Sequence, residues 1–173
     1  MRILLTGGSA CGKSTYAEKL AMSFPLPRYY IATMRVYDEE SREKVARHRQ
    51  MRNTKNFITI ERDTDIHLIR LPRPGTVLLE CMCNLTANEM FDHYGNITDV
   101  YGKIIYGIES LASQCENIIV VTNDVGSDGG KYDEGTREYI RTLGKLNISL
   151  AERSDCVYEM VCGIPVVLKG RLL

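Results

Sequence analysis

Residues 1–15, Met-Arg-Ile-Leu-Leu-Thr-Gly-Gly-Ser-Ala-Cys-Gly-Lys-Ser-Thr, restrict what this chain can become more than any other stretch. Arg2 to Thr6 reads as a short buried strand. Gly7, Gly8, Ser9, Ala10, Cys11, Gly12, Lys13 and Ser14 then fit G-x-x-x-x-G-K-[ST], the phosphate-binding loop. Gly7, Gly8 and Gly12 permit backbone angles that turn successive N–H groups toward a polyphosphate. A helix starting near Lys13 aims its positive dipole end at the same anion. Lys13 is placed to reach the β- and γ-phosphates, and the Ser14 hydroxyl to ligate Mg²⁺. The bland alternative is a glycine-rich turn that matches by accident. Strand, loop and helix standing in the required order argue against it.

The remainder of the composition excludes more than it assigns. At 173 residues the chain is read as one domain, 1–173, long enough to bury a substantial core. With 22 basic and 22 acidic residues, net charge gives no reason to expect nucleic acid or a membrane surface as partner. No apolar run approaches a transmembrane span, and the N-terminus reads as a core strand rather than a signal peptide. Cys11, Cys81, Cys83, Cys115, Cys156 and Cys162 include no Cys-x-x-Cys pair and mostly sit in apolar runs. They read as reduced core residues of a cytoplasmic protein. Cys81-Met-Cys83 lacks a second ligand pair that would make it a metal site.

Taken in order, a first helix runs from about Lys13 to Ser23, with Ala17, Leu20 and Ala21 inward; Pro25 and Pro27 end it. Tyr29 to Ala32 forms a second buried strand, with Thr33 at the carboxyl end, where open α/β sheets bind ligands, either as a lining residue or as an ordinary strand-end threonine. Asp38-Glu39-Glu40 caps a charged helix reaching about Arg52. Val45, Ala46 and Met51 are too few for a core face. Lys44, His48 and Arg52 fall at i, i+4 and i+8, with Arg47 and Arg49 beside them: either a solvated face or a surface that receives an anion. Phe57 to Glu61 is a third strand, and residues 63–75 a short helix or loop. Thr76 to Cys81 is a buried strand whose Glu80 reads either as the metal-side acid that follows a phosphate loop or as a strand-end glutamate facing solvent.

Val100, Ile104, Ile108, Leu111 and Cys115 mark a helix. The strand Ile118 to Thr122 leads into a polar loop, Asn123 to Gly130, on the ligand side of the sheet. Thr136, Ile140, Leu143, Asn147 and Leu150 mark another helix, with Asn147 buried and needing a partner. Asp155 to Cys162 and Val166 to Lys169, joined at Gly163-Ile164-Pro165, form an antiparallel hairpin. The whole reads as an α/β fold.

At this point the chain resembles the bifunctional adenosylcobinamide kinase / adenosylcobinamide-phosphate guanylyltransferase family of cobalamin biosynthesis. The resemblance is carried by Leu5-Thr6-Gly7-Gly8 with Gly12-Lys13-Ser14, by Tyr30-Ile31-Ala32-Thr33, and by Asp38-Glu39-Glu40 followed by Val45-Ala46-Arg47-His48-Arg49. Val77 to Cys81, Val121-Thr122-Asn123-Asp124-Val125-Gly126 and Leu143 to Asn147 extend it. It implies a RecA-like P-loop fold, usually a homotrimer, that uses GTP, ATP and Mg²⁺. A nucleoside triphosphate would phosphorylate the aminopropanol hydroxyl of adenosylcobinamide. The histidine matching His48 would then attack the α-phosphorus of GTP and pass GMP to adenosylcobinamide phosphate. By the same resemblance Gly7 to Ser14, Ile31, Ala32, Thr33, Arg49, Gln50, Met51, Arg52, Glu61 and Glu80 contact nucleotide, Lys13 and His48 are catalytic, and Ser14 and Glu80 hold the metal.

Elementary chemistry agrees. Neutral imidazole forms a labile phosphoramidate, and Lys44, Arg49 and Arg52 supply charge to the α-phosphate. His67 and His93 lack such a setting and read as surface or packing residues. The chain departs from the family at Ala10 and Cys11, where arginine and serine are usual, at Asn53, at Phe57, and in residues 126–132. Rival readings are a divergent P-loop kinase or nucleotidyltransferase with another substrate, and a non-catalytic nucleotide-binding module; the latter has no use for His48 among basic neighbours.

Overall fold

A computed structural model describes residues 1–35, 55–92, 94–126 and 129–173. The charged helix expected over 38–52 lies outside them, and with it Lys44, His48, Arg49, Gln50, Met51 and Arg52; so does His93.

The described elements are β1 (Arg2–Thr6), α1 (Lys13–Met22), β2 (Arg28–Ala32), β3 (Phe57–Glu61), a 3-10 turn (Ile66–Leu68), β4 (Thr76–Glu80), α2 (Met82–Met90), α3 (Tyr101–Ala112), β5 (Asn117–Val121), α4 (Glu134–Arg153), β6 (Cys156–Val161) and β7 (Ile164–Lys169). The strands form one sheet in the order β3-β2-β4-β5-β1-β6-β7. Every neighbouring pair is parallel except β6–β7, so the α/β fold with a C-terminal antiparallel hairpin is as the sequence suggested.

Strand side chains alternate between two cores, as a period of two requires. Ile3, Leu5, Tyr30, Leu78, Ile119, Val121 and Tyr158 pack with Ala17, Leu20 and Ala21 of α1. Leu4, Tyr29, Ile31, Val77, Leu79, Ile118, Val120 and Val157 face the other way, onto α2, α3 and α4. Burial on both faces explains why these strands read as continuous apolar runs.

Three expectations change in detail. Helix α2 had no counterpart in the sequence reading, although Met82, Leu85 and Met90 are fully buried in it. The hairpin turn is Cys162-Gly163, both at positive φ (51° and 81°), and Ile164 and Pro165 already belong to β7. Two such residues form the tight turn whose twist suits a hairpin, and Pro165 is tolerated because β7 is an edge strand. The cysteines are all unpaired, but only Cys83 and Cys156 are buried, so the set is not a core set.

Candidate functional site: the phosphate loop and the acid beside it

The loop from Gly7 to Gly12 leaves β1 at its carboxyl end, and Tyr16 N–H donates to the Gly12 carbonyl at 3.0 Å as α1 begins. Left-handed backbone is confined to Gly7 (φ +136°), Ala10 (φ +55°) and Gly12 (φ +95°); Gly8 does not use it. At Gly7 the glycine is obligatory on space as well as angle, because a Cβ there would lie 2.7 Å from the Met160 carbonyl oxygen. The hairpin supports the loop from below: a Cβ on Gly12 would meet Gly163 Cα at 3.3 Å, and Gly163 N–H donates to the Cys11 carbonyl at 3.0 Å. Sequence reading missed this buttress, because β6–β7 is about 150 residues from the loop it touches.

Lys13 is buried, with 7% of its surface exposed. Its ammonium donates to the Gly7 carbonyl at 2.9 Å and to the Gly8 carbonyl, and lies 3.6 Å from the Cys11 sulfur. Three donors on a flexible stem are thus satisfied by the loop itself. An arriving phosphate would exchange these neutral acceptors for anionic oxygens, which make stronger bonds.

Glu80, at the end of β4, faces the start of α1. The Ser14 hydroxyl donates to its Oε1, and the Tyr30 hydroxyl to its Oε2 at 2.9 Å. A cavity of about 330 Å³ opens between the loop and this strand end, lined by Lys13, Ser14, Glu80, Cys81 and Asn123 among others. A serine hydroxyl and a carboxylate in contact beside a phosphate cradle are hard oxygen donors of the kind Mg²⁺ takes, so the residues present fit that ion.

Thr33 is fully buried and holds the turn after β4. Its hydroxyl donates to the Cys81 carbonyl at 2.9 Å and accepts from Cys81 N–H at 2.7 Å, while Asn88 donates to the Thr33 carbonyl at 2.8 Å. Ile31 is also fully buried, Ala32 half-buried and Glu61 exposed at the end of β3, one strand beyond β2. The polar loop after β5 is tied to α4: Thr122 donates to Asn147 Oδ1 at 2.7 Å, and Asn147 donates to the Asn123 carbonyl at 3.2 Å. Asn147 thus has the partners expected of it, although it is half-buried rather than buried. Asp124 N–H donates to the Gly7 carbonyl at 3.2 Å, bringing this loop against the phosphate loop.

The free thiols of Cys81 and Cys83 share a side-chain hydrogen bond where α2 starts. That contact, followed by burial, holds the Cys81 thiol protonated, and the same contact, with Tyr139 and Asn123, draws Cys83 down to about 6. Among the described residues no three His, Cys, Asp or Glu side chains gather as a metal-binding group. His67, read from the sequence as a surface or packing residue, lies against the Tyr106 ring with centroids 6.0 Å apart.

A family-wide sequence profile described as cobinamide kinase / cobinamide phosphate guanyltransferase matches residues 3–168. The chain belongs to this family. It is 33% identical over 185 residues to the bifunctional adenosylcobalamin biosynthesis protein CobU of Escherichia coli strain K12, covering 98% of this chain and all of that protein. It is 31% identical over 176 residues to the bifunctional adenosylcobalamin biosynthesis protein CobP of Pseudomonas aeruginosa, covering all of both. A solved ATPase of a bacterial type III secretion system superposes with a TM-score of 0.50 over 91% of this chain at 11% identity. The chain spans 50% of that ATPase's length, and the likeness shows the shared P-loop fold. Membership of the cobinamide kinase / guanyltransferase family makes the chain a transferase of cobalamin biosynthesis built on a nucleotide-binding loop. No helix among the described residues is long and apolar enough to cross a membrane.

Proposed function

We propose that the chain phosphorylates adenosylcobinamide and then transfers GMP from GTP to the product, giving adenosylcobinamide-GDP. The observation that carries this is the match of residues 3–168 to a family described by both activities. In the first step the aminopropanol hydroxyl of adenosylcobinamide takes the γ-phosphoryl group of ATP or GTP. Phosphoryl transfer needs positioning and charge neutralisation more than covalent chemistry. The Gly7–Ser14 backbone cradles the phosphates, and Lys13 leaves its loop carbonyls to neutralise them. Ser14 and Glu80 would hold Mg²⁺, which when bound offsets charge on the phosphate oxygens.

In the second step an imidazole nitrogen of His48 attacks the α-phosphorus of GTP and pyrophosphate leaves. A phosphate oxygen of adenosylcobinamide phosphate then attacks the guanylyl-histidine and frees the imidazole. Lys44, Arg49 and Arg52 offset charge on the α-phosphate. Gln50, Met51 and Glu61 complete the nucleotide contacts together with Ile31, Ala32 and Thr33 at the end of β2. We further assign the working unit as a single 1–173 domain, assembled as a cytoplasmic homotrimer.

Incubation with α-labelled GTP and Mg²⁺ tests the second half. The protein should acquire an acid-labile, hydroxylamine-sensitive label that is absent from His48→Ala; no such label refutes the guanylyl-histidine. Phosphorylation of adenosylcobinamide should survive His48→Ala and fall by about 100-fold or more in Lys13→Ala. Unchanged phosphorylation in Lys13→Ala refutes the role given to that residue.

A further inference from the structure

We infer that Tyr30 is a positioning residue for Glu80: its hydroxyl pins one carboxylate oxygen so that the other is presented beside Ser14 at the mouth of the phosphate cavity. The inference rests on the reading of Glu80 as the metal-side acid.

Strands β2 and β4 pair in parallel with Ala32 opposite Glu80 and Tyr30 opposite Leu78. Tyr30 and Glu80 therefore share the α1 face of the sheet as diagonal neighbours, a separation that only long or aromatic side chains cross. The phenol spans it and donates to Glu80 Oε2 at 2.9 Å. The ring cannot drift, being 3% exposed and packed edge-on against Phe57 with centroids 6.0 Å apart at 79°. Ser14 holds the other oxygen, Oε1, from the first turn of α1. The carboxylate is thus gripped by one group from the sheet and one from the phosphate loop. Glu80 would then offer Oε1 beside Ser14 Oγ to a cation without having to find its rotamer. Without the phenol, Ser14 alone restrains the carboxylate, and each binding event has to restrict it further.

The test is Tyr30→Phe, which removes one oxygen from a ring that otherwise keeps its packing. A fluorescent GTP analogue reports nucleotide affinity with Mg²⁺ and with EDTA. The expected result is that affinity in Mg²⁺ falls about tenfold, equivalent to about 1.4 kcal/mol, and that the half-saturating Mg²⁺ concentration rises, while affinity in EDTA is unchanged. In a Glu80→Gln background, Tyr30→Phe should add nothing further. Equal weakening in Mg²⁺ and EDTA, with a lowered Tm, would mark a merely structural tyrosine and overturn the inference. So would wild-type Mg²⁺ dependence in Tyr30→Phe alongside a clear loss in Glu80→Gln. If Glu80→Gln itself leaves Mg²⁺ dependence intact, the assignment of Glu80 falls and the inference falls with it.

Discussion

At the scale of single residues, the fold changes chemistry by choosing which groups lose water. Cys115, just before β5, shows this away from the site. Burial raises its thiol from the ordinary value near 9 to about 11, although the N-terminal ammonium and Arg2 pull the other way. The fold therefore favours the neutral thiol, while the unfolded chain releases its proton near 9. The resulting stability is fully present below the unfolded value and is lost as pH rises from about 9 through about 11. Urea unfolding followed between near-neutral pH and pH of about 11 should show this decline, and Cys115→Ala should remove its share of the slope. The loop itself teaches a related lesson. Three glycines announced left-handed backbone, yet Ala10 adopts it and Gly8 does not. Spacing identified the motif, but the path of the chain within it depends on the hairpin pressed against Gly7 and Gly12.

Elements differ in how far they announce themselves. Helix α4 is legible because its ends and its stripe agree. Asp133 Oδ1 accepts from Thr136 N–H at 2.9 Å and Oδ2 from the Thr136 hydroxyl at 2.7 Å, Glu134 lies in the first turn and Arg153 in the last. These complement the unpaired amides and dipole of a helix start and the carbonyls of its end. Asp133→Ala should accelerate hydrogen exchange at the Thr136 amide, with little change in the last turns of α4. Helix α2 has no side-chain cap and no charged residue in its first turn. It forms because Met82, Leu85 and Met90 find a core already built by the sheet, α3 and α4. Propensity within nine residues cannot announce that, since the driving contacts come from elsewhere in the chain.

Across the whole molecule, the central strands carry the stability and set the site's geometry together. Leu78 is fully buried on β4, between β2 and β5, on the face covered by α1. Leu78→Ala should cost about 2–5 kcal/mol. For a chain of this length that lowers Tm by roughly 4–20 °C, which differential scanning calorimetry measures. The same row of the sheet contains Tyr30 and ends at Glu80, so a cavity at Leu78 should also loosen the carboxylate.

What the sequence determined by itself was local and periodic. It placed the phosphate loop, the seven described strands, three of the four described helices and the acidic end of β4, because short-range backbone angles, alternation and helical spacing are written within a few residues of each other. It also carried the family, through motifs spread from Leu5 to Asn147. Only the tertiary structure brought Ser14 and Tyr30 onto the Glu80 carboxylate, turned the Cys162-Gly163 corner beneath the phosphate loop, and gave α2 a core to fold against. Each of these depends on strand order and register, which set β2 beside β4 and β6 beside β1 across long stretches of chain. Such neighbours are selected by the burial of two whole faces at once, and no single segment of the sequence contains that choice.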